Sequence, residues 1–137
     1  MKTLHIPFLA GLFFLALILS CSKDDPKPAG SIIGSWKFAS ESLTGCTDPT
    51  DNGTEYCTSD CPILLIADGT WTFTDPVNPS NSGTGTYTLS GNSITITVSA
   101  GTGYSGTFTY TVSGTSLTFS DSNYGMGCTG NLNFTKI

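Results

Sequence analysis

The sequence predicts an all-β domain whose eight antiparallel strands form an up-and-down meander closed into a barrel. A sixteen-residue phrase occurs twice, as SGTGTYTLSGNSITIT and again as SGTFTYTVSGTSLTFS, with an apolar residue at every second position. This alternation is typical of strands with one buried face, and no stretch after residue 30 has convincing helical periodicity. A two-sheet sandwich of the same strands is the alternative.

Each copy of the phrase predicts one hairpin with a two-residue turn, at positions 91–92 and 114–115. The segment PILLIADGTWTFT predicts a third hairpin around the Asp-Gly at 68–69. Threonines then face outward, which suits a side chain that is β-branched and polar. The turns place apolar residues on one face in the pairs Leu89 with Ile94, Tyr87 with Ile96, Val112 with Leu117, Tyr110 with Phe119, Ile66 with Trp71, and Leu64 with Phe73.

Two further segments, GSWKFASES and NLNFTKI, complete the count of eight strands. A meander of this size with one apolar face leaves no free edge when it closes into a barrel. By alternation the predicted interior consists of Trp36, Phe38, Leu64, Ile66, Trp71, Phe73, Tyr87, Leu89, Ile94, Ile96, Val98, Phe108, Tyr110, Val112, Leu117, Phe119, Leu132 and Phe134.

The first twenty residues predict a secretion signal. Lys2 supplies a positive charge, and the apolar run from Ile6 to Leu19 is shorter than the roughly 20 residues of a membrane span. The sequence ILSC, which ends at Cys21, resembles the bacterial lipobox. The resemblance implies removal of residues 1–20 and attachment of a lipid, with acyl chains such as palmitate, to Cys21. An ordinary signal peptide with an incidental cysteine is the alternative.

Residues 21–30 are charged, contain proline and lack large apolar side chains, so they predict a flexible tether between the lipidated cysteine and the domain. We therefore expect the partner of this segment to be a membrane, reached through the lipid anchor. The Ser-Lys-Asp-Asp after Cys21 resembles the surface-export signal of Bacteroidetes lipoproteins. It implies an outer-membrane location facing the cell surface, with the periplasmic face as the alternative.

The composition of residues 31–137 excludes several classes of function. The ten acidic residues of the chain, less Asp24 and Asp25, leave eight carboxylates there, against only Lys37 and Lys136 and no arginine. So few cations cannot neutralise a nucleic-acid backbone. His5 is the one histidine and belongs to the signal, so the usual general base and the commonest metal ligand are absent. We expect a monomer that is not an enzyme and uses no cofactor.

Four cysteines remain in the domain, Cys46, Cys57, Cys61 and Cys128. An even number in an exported chain predicts two disulfides, for which three connectivities are open. In a barrel, the connection at 43–62 crosses the same end as the link before the last strand, which favours Cys61 with Cys128 and Cys46 with Cys57. A tetrathiolate zinc site is disfavoured, because the sequence has no paired C-x-x-C motifs and an oxidising compartment is expected.

The first cysteine-rich segment, CTDPTDNGTEYCTSDC, also raises the question of a calcium site. Oxygen ligands around a glycine suit this cation, but the spacing fits no EF-hand loop. A solvated acidic turn is the favoured interpretation, and we expect no metal. The side chains concerned are Asp48, Asp51, Asn52, Glu55 and Asp60.

The domain resembles the lipocalin-like domains of Bacteroidetes lipoproteins. The motifs that carry the resemblance are I-x-G-x-W-x at 33, A-D-G-T at 67, G-T-Y-x-L-S-G-N-x-I-T-I-T at 85 and L-x-F at 132. In true lipocalins, which share the Gly-x-Trp, a basic residue of the last strand covers the tryptophan. The resemblance therefore implies a lysine over Trp36, and alternation places Lys136 on the right face for it.

A barrel of eight strands is either filled by its side chains or retains room for one small ligand. The first hypothesis is a binding module that takes a small apolar or amphipathic molecule at its cysteine-clamped mouth. The second is a structural, adhesion or protein-docking module with a fully packed barrel; an enzyme is disfavoured because no catalytic constellation is present. The predicted ligand contacts are Trp71, Tyr87, Tyr110, Phe73 and Phe108.

Overall fold

A computed structural model describes residues 31–125 and 127–137 of the chain. The predicted signal peptide, lipidation at Cys21 and tether fall outside these residues. In the described part of the chain, no helix has the length and apolar character needed to cross a membrane. Short 3-10 turns stand at Pro49–Asp51 and Pro79–Asn81. The strands are β1 (Gly34–Thr44), β2 (Gly53–Tyr56), β3 (Ile63–Ala67), β4 (Thr70–Thr74), β5 (Gly83–Ser90), β6 (Ser93–Gly101), β7 (Gly106–Ser113), β8 (Ser116–Tyr124) and β9 (Cys128–Lys136).

Eight of these strands form a closed antiparallel barrel. Each strand from β3 to β8 pairs with the next one along the chain, and β1 closes the ring by pairing with both β3 and β9. The barrel prediction is therefore confirmed, and the two-sheet sandwich is wrong. Since consecutive strands are antiparallel, the connections alternate between the two ends of the barrel, with the short turns at 68–69, 91–92 and 114–115 all at one end.

The segment 43–62, predicted to be a connection across the mouth, instead contains the extra strand β2. This strand pairs with residues 40–43 of β1, directly beyond the residues 34–37 that pair with β3. The Cys57 amide donates to the Ala39 carbonyl over 2.9 Å, and the Phe38 amide to the Pro62 carbonyl over 2.8 Å. Strands β2 and β3 thus form one interrupted strand along β1, from which residues 57–61 loop out.

The predicted hairpin registers are confirmed at every pair named from the sequence. One predicted interior residue differs in its burial, because Leu89 is 45% exposed whereas its partner Ile94 is 1% exposed. Strand β4 pairs with β5 only as far as Thr86, so Leu89 has no β4 neighbour to cover it. The alternation gave the correct face of the sheet, but the staggered strand ends leave this side chain in solvent.

The short-turn end of the barrel, called the closed end below, is filled by Trp36. Its ring is fully buried, and its indole Nε1 donates to the Ile32 carbonyl over 2.8 Å. Lys136 Nζ lies 5.4 Å from the ring centroid, which confirms the predicted cation-π contact. Gly34 leaves room for the lysine stem, because a Cβ at that position would lie 3.3 Å from Lys136 Cε.

Both disulfides form, but their pairing differs from the predicted one. Cys46 bonds to Cys128, and Cys57 bonds to Cys61. The end of β1 lies beside the start of β9, with Thr44 opposite Thr129, so Cys46 reaches Cys128 directly. Cys61 precedes β3 on the other edge of β1, and the prediction failed because it did not distinguish these two edges. The thiolate zinc site is wrong, since all four sulfurs are in disulfides.

A candidate ligand-binding cavity

The barrel interior contains a cavity of about 680 Å³, open at the end opposite the short turns. We call this end the mouth; the connections at 75–82 and 102–105 lie there, together with Gly125 and Gly127. Side chains fill the interior only in the half nearer the closed end. There, Trp36 and Leu117 are completely buried and do not line the cavity. The apolar wall consists of Leu64, Ile66, Trp71, Phe73, Tyr87, Ile94, Ile96, Phe108, Phe119, Leu132 and Phe134.

Four of the five side chains predicted to contact a ligand lie together on this wall: Trp71, Phe73, Tyr87 and Phe108. Tyr110 does not line the cavity. It is 3% exposed, and its hydroxyl donates to the Gly91 carbonyl over 3.3 Å in the β5–β6 turn. Burial raises the pKa of Tyr110, with a smaller contribution from the charge that Tyr87 would carry. Tyr110 is therefore part of the packing under the cavity.

One side of the barrel is a continuous row of aromatic rings that begins at the mouth. Tyr104 lies 5.8 Å from Phe108, Phe108 lies 6.5 Å from Phe119, and Phe119 lies 5.8 Å from Phe134, measured between ring centroids. Most of these contacts are edge-to-face, the arrangement that the ring quadrupole favours. Tyr104 is 68% exposed, so the row extends from solvent into the interior. An apolar molecule entering the mouth would meet an aromatic surface along its whole path.

The indole of Trp71 lies on another part of the wall, against two glycines. A Cβ on Gly85 would stand 2.8 Å from the indole Nε1, and one on Gly103 would stand 3.4 Å from the ring. The glycines therefore make the space that the indole occupies. Its Nε1 is buried but has no hydrogen-bond partner, a situation that costs about 1 to 3 kcal/mol in proteins.

The mouth carries polar side chains that the sequence analysis did not single out. Asp121, Asn123 and Tyr124 line it from β8, and Asn81 and Thr102 line it from the neighbouring connections. Asp121 continues the inward alternation of Leu117 and Phe119, so the spacing contained a signal for its position. The other polar side chains stand at strand ends or in connections, where alternation predicts nothing.

Glu41 also faces this polar layer, because of a bulge in β1. Phe38 pairs with Phe134, but Ser40 pairs with Asn133, so one extra residue is inserted and the inward face changes from even to odd numbers. Glu41 is consequently opposite the cavity-lining Leu132. No sequence signal marked this bulge.

Tyr124 lies near both acidic side chains of the layer. Its ring lies over Gly130, where a Cβ would come within 2.5 Å of it, and its hydroxyl donates to the Glu41 carboxylate. This hydrogen bond, followed by burial and by the charges of Glu41 and Asp121, raises the pKa of Tyr124 to about 12. The tyrosine therefore stays neutral at physiological pH and keeps the proton that it donates to Glu41.

The acidic segment considered for calcium has a local structural role. Asp48 begins the 3-10 turn, and its carboxylate accepts hydrogen bonds from the Thr50 amide and hydroxyl. The same two bonds lower the pKa of Asp48. Among residues 31–125 and 127–137, no group of three or more histidine, cysteine, aspartate or glutamate side chains is placed to hold a metal ion.

Comparison with known protein families identifies a relationship for most of the barrel. A family model described as a lipocalin-like domain matches residues 32–119, from just before β1 into β8. The matched part includes Trp36 and every predicted ligand contact. No curated protein and no solved structure matches the chain.

Proposed function

Because the chain belongs to the lipocalin-like domain family, we propose that its barrel binds a small apolar or amphipathic molecule in the interior cavity. The cavity itself carries the proposal: its volume of about 680 Å³ lies within the roughly 300 to 1,000 Å³ of typical small-molecule sites. The lipocalin-like family is generally non-enzymatic, and the proposal accordingly includes no reaction.

Three features support binding at this place. The wall is apolar and largely aromatic, so it gains free energy from covering a hydrocarbon surface. The mouth is held by Cys46–Cys128, which fixes the end of β1 against the start of β9. The alternative, a docking module with a fully packed barrel, requires side chains that fill the half nearer the mouth. That half contains the cavity instead.

A neutral fluorescent probe tests the proposal. N-phenylnaphthylamine should bind the protein with a dissociation constant of about micromolar order, with enhanced probe emission. Ile96→Trp places a large side chain in the cavity and should weaken binding by about tenfold or more. Thr97→Trp is the matched control, because this neighbouring residue is exposed on the outer face of the same strand and the variant should bind as the parent does.

Absence of probe binding by the parent protein would favour the packed docking module. Equal binding by Ile96→Trp and the parent, with both folded by circular dichroism, would place the probe outside the cavity and contradict the proposal. Neither result depends on knowing the natural ligand.

We further propose that the domain is anchored to the cell envelope through lipid on Cys21 and faces the cell surface of the outer membrane. The lipobox-like ILSC and the following Ser-Lys-Asp-Asp support this location. Labelled palmitate should enter the parent chain but not Cys21→Ala, whereas Ser22→Ala should still be labelled. Protease added to intact cells should then cleave the domain; protection until the outer membrane is opened would support the periplasmic face.

A further inference from the structure

The polar layer at the mouth has one sign of charge. Of the eight carboxylates in the described residues, Glu41 and Asp121 face the interior side of the sheet beside Tyr124. Four more stand on the surrounding strands and connections at the same end, namely Asp48, Asp51, Glu55 and Asp75. A molecule that enters the cavity therefore passes two inward carboxylates, at an end of the barrel that carries six of the eight.

The described residues supply no positive side chain near Glu41 and Asp121. They contain only two cations, and Lys136 lies over Trp36 at the closed end. Lys37 is exposed on the outer face of β1, opposite Ile63 and Thr135. The carboxylates at the mouth are left without a lysine partner from the described part of the barrel, although Tyr124 donates to one of them.

From the two inward carboxylates, the lack of a described lysine beside them and the apolar wall, we infer that the cavity is specific for cationic amphiphiles: molecules with an ammonium head held at the mouth by Glu41 and Asp121, and an apolar body in the barrel. This inference rests on the proposed function and names its ligand class. Fatty-acid anions of the same length are disfavoured, since their carboxylate would stand among like charges in a partly desolvated opening.

Three dodecyl compounds with different head groups test the inference without any variant. Dodecylammonium, dodecanol and dodecanoate would each displace N-phenylnaphthylamine from the parent protein near neutral pH, at low salt and below micelle formation. Dodecylammonium should bind about tenfold more tightly than dodecanoate, with dodecanol between them. The preference should decrease at high salt, because the mouth is open to solvent.

Variants identify the residues responsible. Glu41→Gln and Asp121→Asn should each reduce the preference for ammonium over carboxylate by several-fold, while dodecanol affinity stays nearly constant. Asp68→Asn is the matched control: it removes the same charge at the closed end and keeps an Asn-Gly turn, so the preference should persist.

The outcomes separate the two proposals. If dodecanol and the probe bind but dodecanoate equals or exceeds dodecylammonium, the specificity is wrong and the binding function stands. An ammonium preference that Asp68→Asn reduces as much as Glu41→Gln does would assign the effect to net charge and overturn the role of the mouth. If neither the probe nor any of the three compounds binds, the proposed function fails as well.

Discussion

The two ends of the barrel are made from the same strands and differ in what stabilises them. At the closed end, two-residue turns bring the strands together, and the fully buried Trp36 fills the interior under Lys136. At the mouth, longer connections surround an open cavity, and the Cys46–Cys128 disulfide holds the strand ends. Side-chain packing thus stabilises one end, whereas a covalent bond at the other end keeps the strands in place without filling the space between them.

Loss of the disulfide at the mouth should reduce stability more than any other change considered below. Replacing Cys46 and Cys128 together by alanine should lower the free energy of unfolding by about 4.5 kcal/mol, because the bond closes a loop of 82 residues. Replacing Cys57 and Cys61, only four residues apart, should cost about 2 kcal/mol. Urea unfolding of the two double variants measures the difference; equal losses would mean that the mouth does not depend on its cross-link.

A second prediction compares the two tryptophans, one at each end. Trp36→Phe should lower the free energy of unfolding by about 2 to 3 kcal/mol, since it removes buried volume and leaves the Ile32 carbonyl without its indole donor. Trp71→Phe should cost less than about 1 kcal/mol, because the N–H that it removes has no acceptor. Chemical unfolding measures the loss in free energy of unfolding for each variant. A larger loss for Trp71→Phe than for Trp36→Phe would contradict this prediction.

A third prediction concerns the contribution of the Lys136 ammonium to stability, which should be smaller. Lys136→Met keeps the apolar stem but removes the ammonium over Trp36, and we expect a loss of about 1 kcal/mol in stability. Lys37→Met makes the same charge change at an exposed position one residue from Trp36 and serves as the control. Thermal unfolding measures the stability of both variants. Equal losses would mean that the contact between Lys136 and Trp36 adds nothing beyond the general effect of removing a charge.

The smallest effect is spectroscopic and belongs to the mouth. In an alkaline absorbance titration of the tyrosines, the component that ionises near pH 12 should disappear in Tyr124→Phe and move to lower pH in Glu41→Gln. The raised pKa means that the folded state favours neutral Tyr124. Its contribution to stability is therefore complete below the ordinary value of 10.0 and is lost as the pH rises towards 12. An unchanged titration in Glu41→Gln would contradict the hydrogen bond.

The sequence predicted the parts of this fold that local rules control. Two-residue turns and alternating apolar residues gave the register of all three hairpins, because a slip of one residue would turn every apolar side chain outward. The exposure of Leu89 was missed, since it depends on where the neighbouring β4 ends. Strand β2 was missed because GTEY is exposed throughout and has no apolar face to alternate.

The candidate site was predictable only in its apolar half. Trp71, Phe73, Tyr87 and Phe108 were identified because inward residues of a barrel must line whatever space it encloses. The positions of the polar side chains depend on the bulge in β1, the connections at the mouth and the end of β8. These features follow from how the strands pair in the folded barrel, which local sequence does not determine. The disulfide pairing failed for the same reason, because it required knowing which edge of β1 faces β9.

The bulge at Ala39 makes the chemistry of the mouth depend on the pairing of β1 with β9. If Ala39 took the regular place opposite Asn133, each later residue of β1 would move by one position along β9, so that Ser40 and Ser42 would face the interior and Glu41 would face solvent. A slip of one residue would thus replace the inward carboxylate with hydroxyl groups, with no change in the sequence and with Trp36 and Phe38 left in place. The bond between Cys46 and Cys128 fixes the end of β1 beside the start of β9 and therefore opposes such a slip.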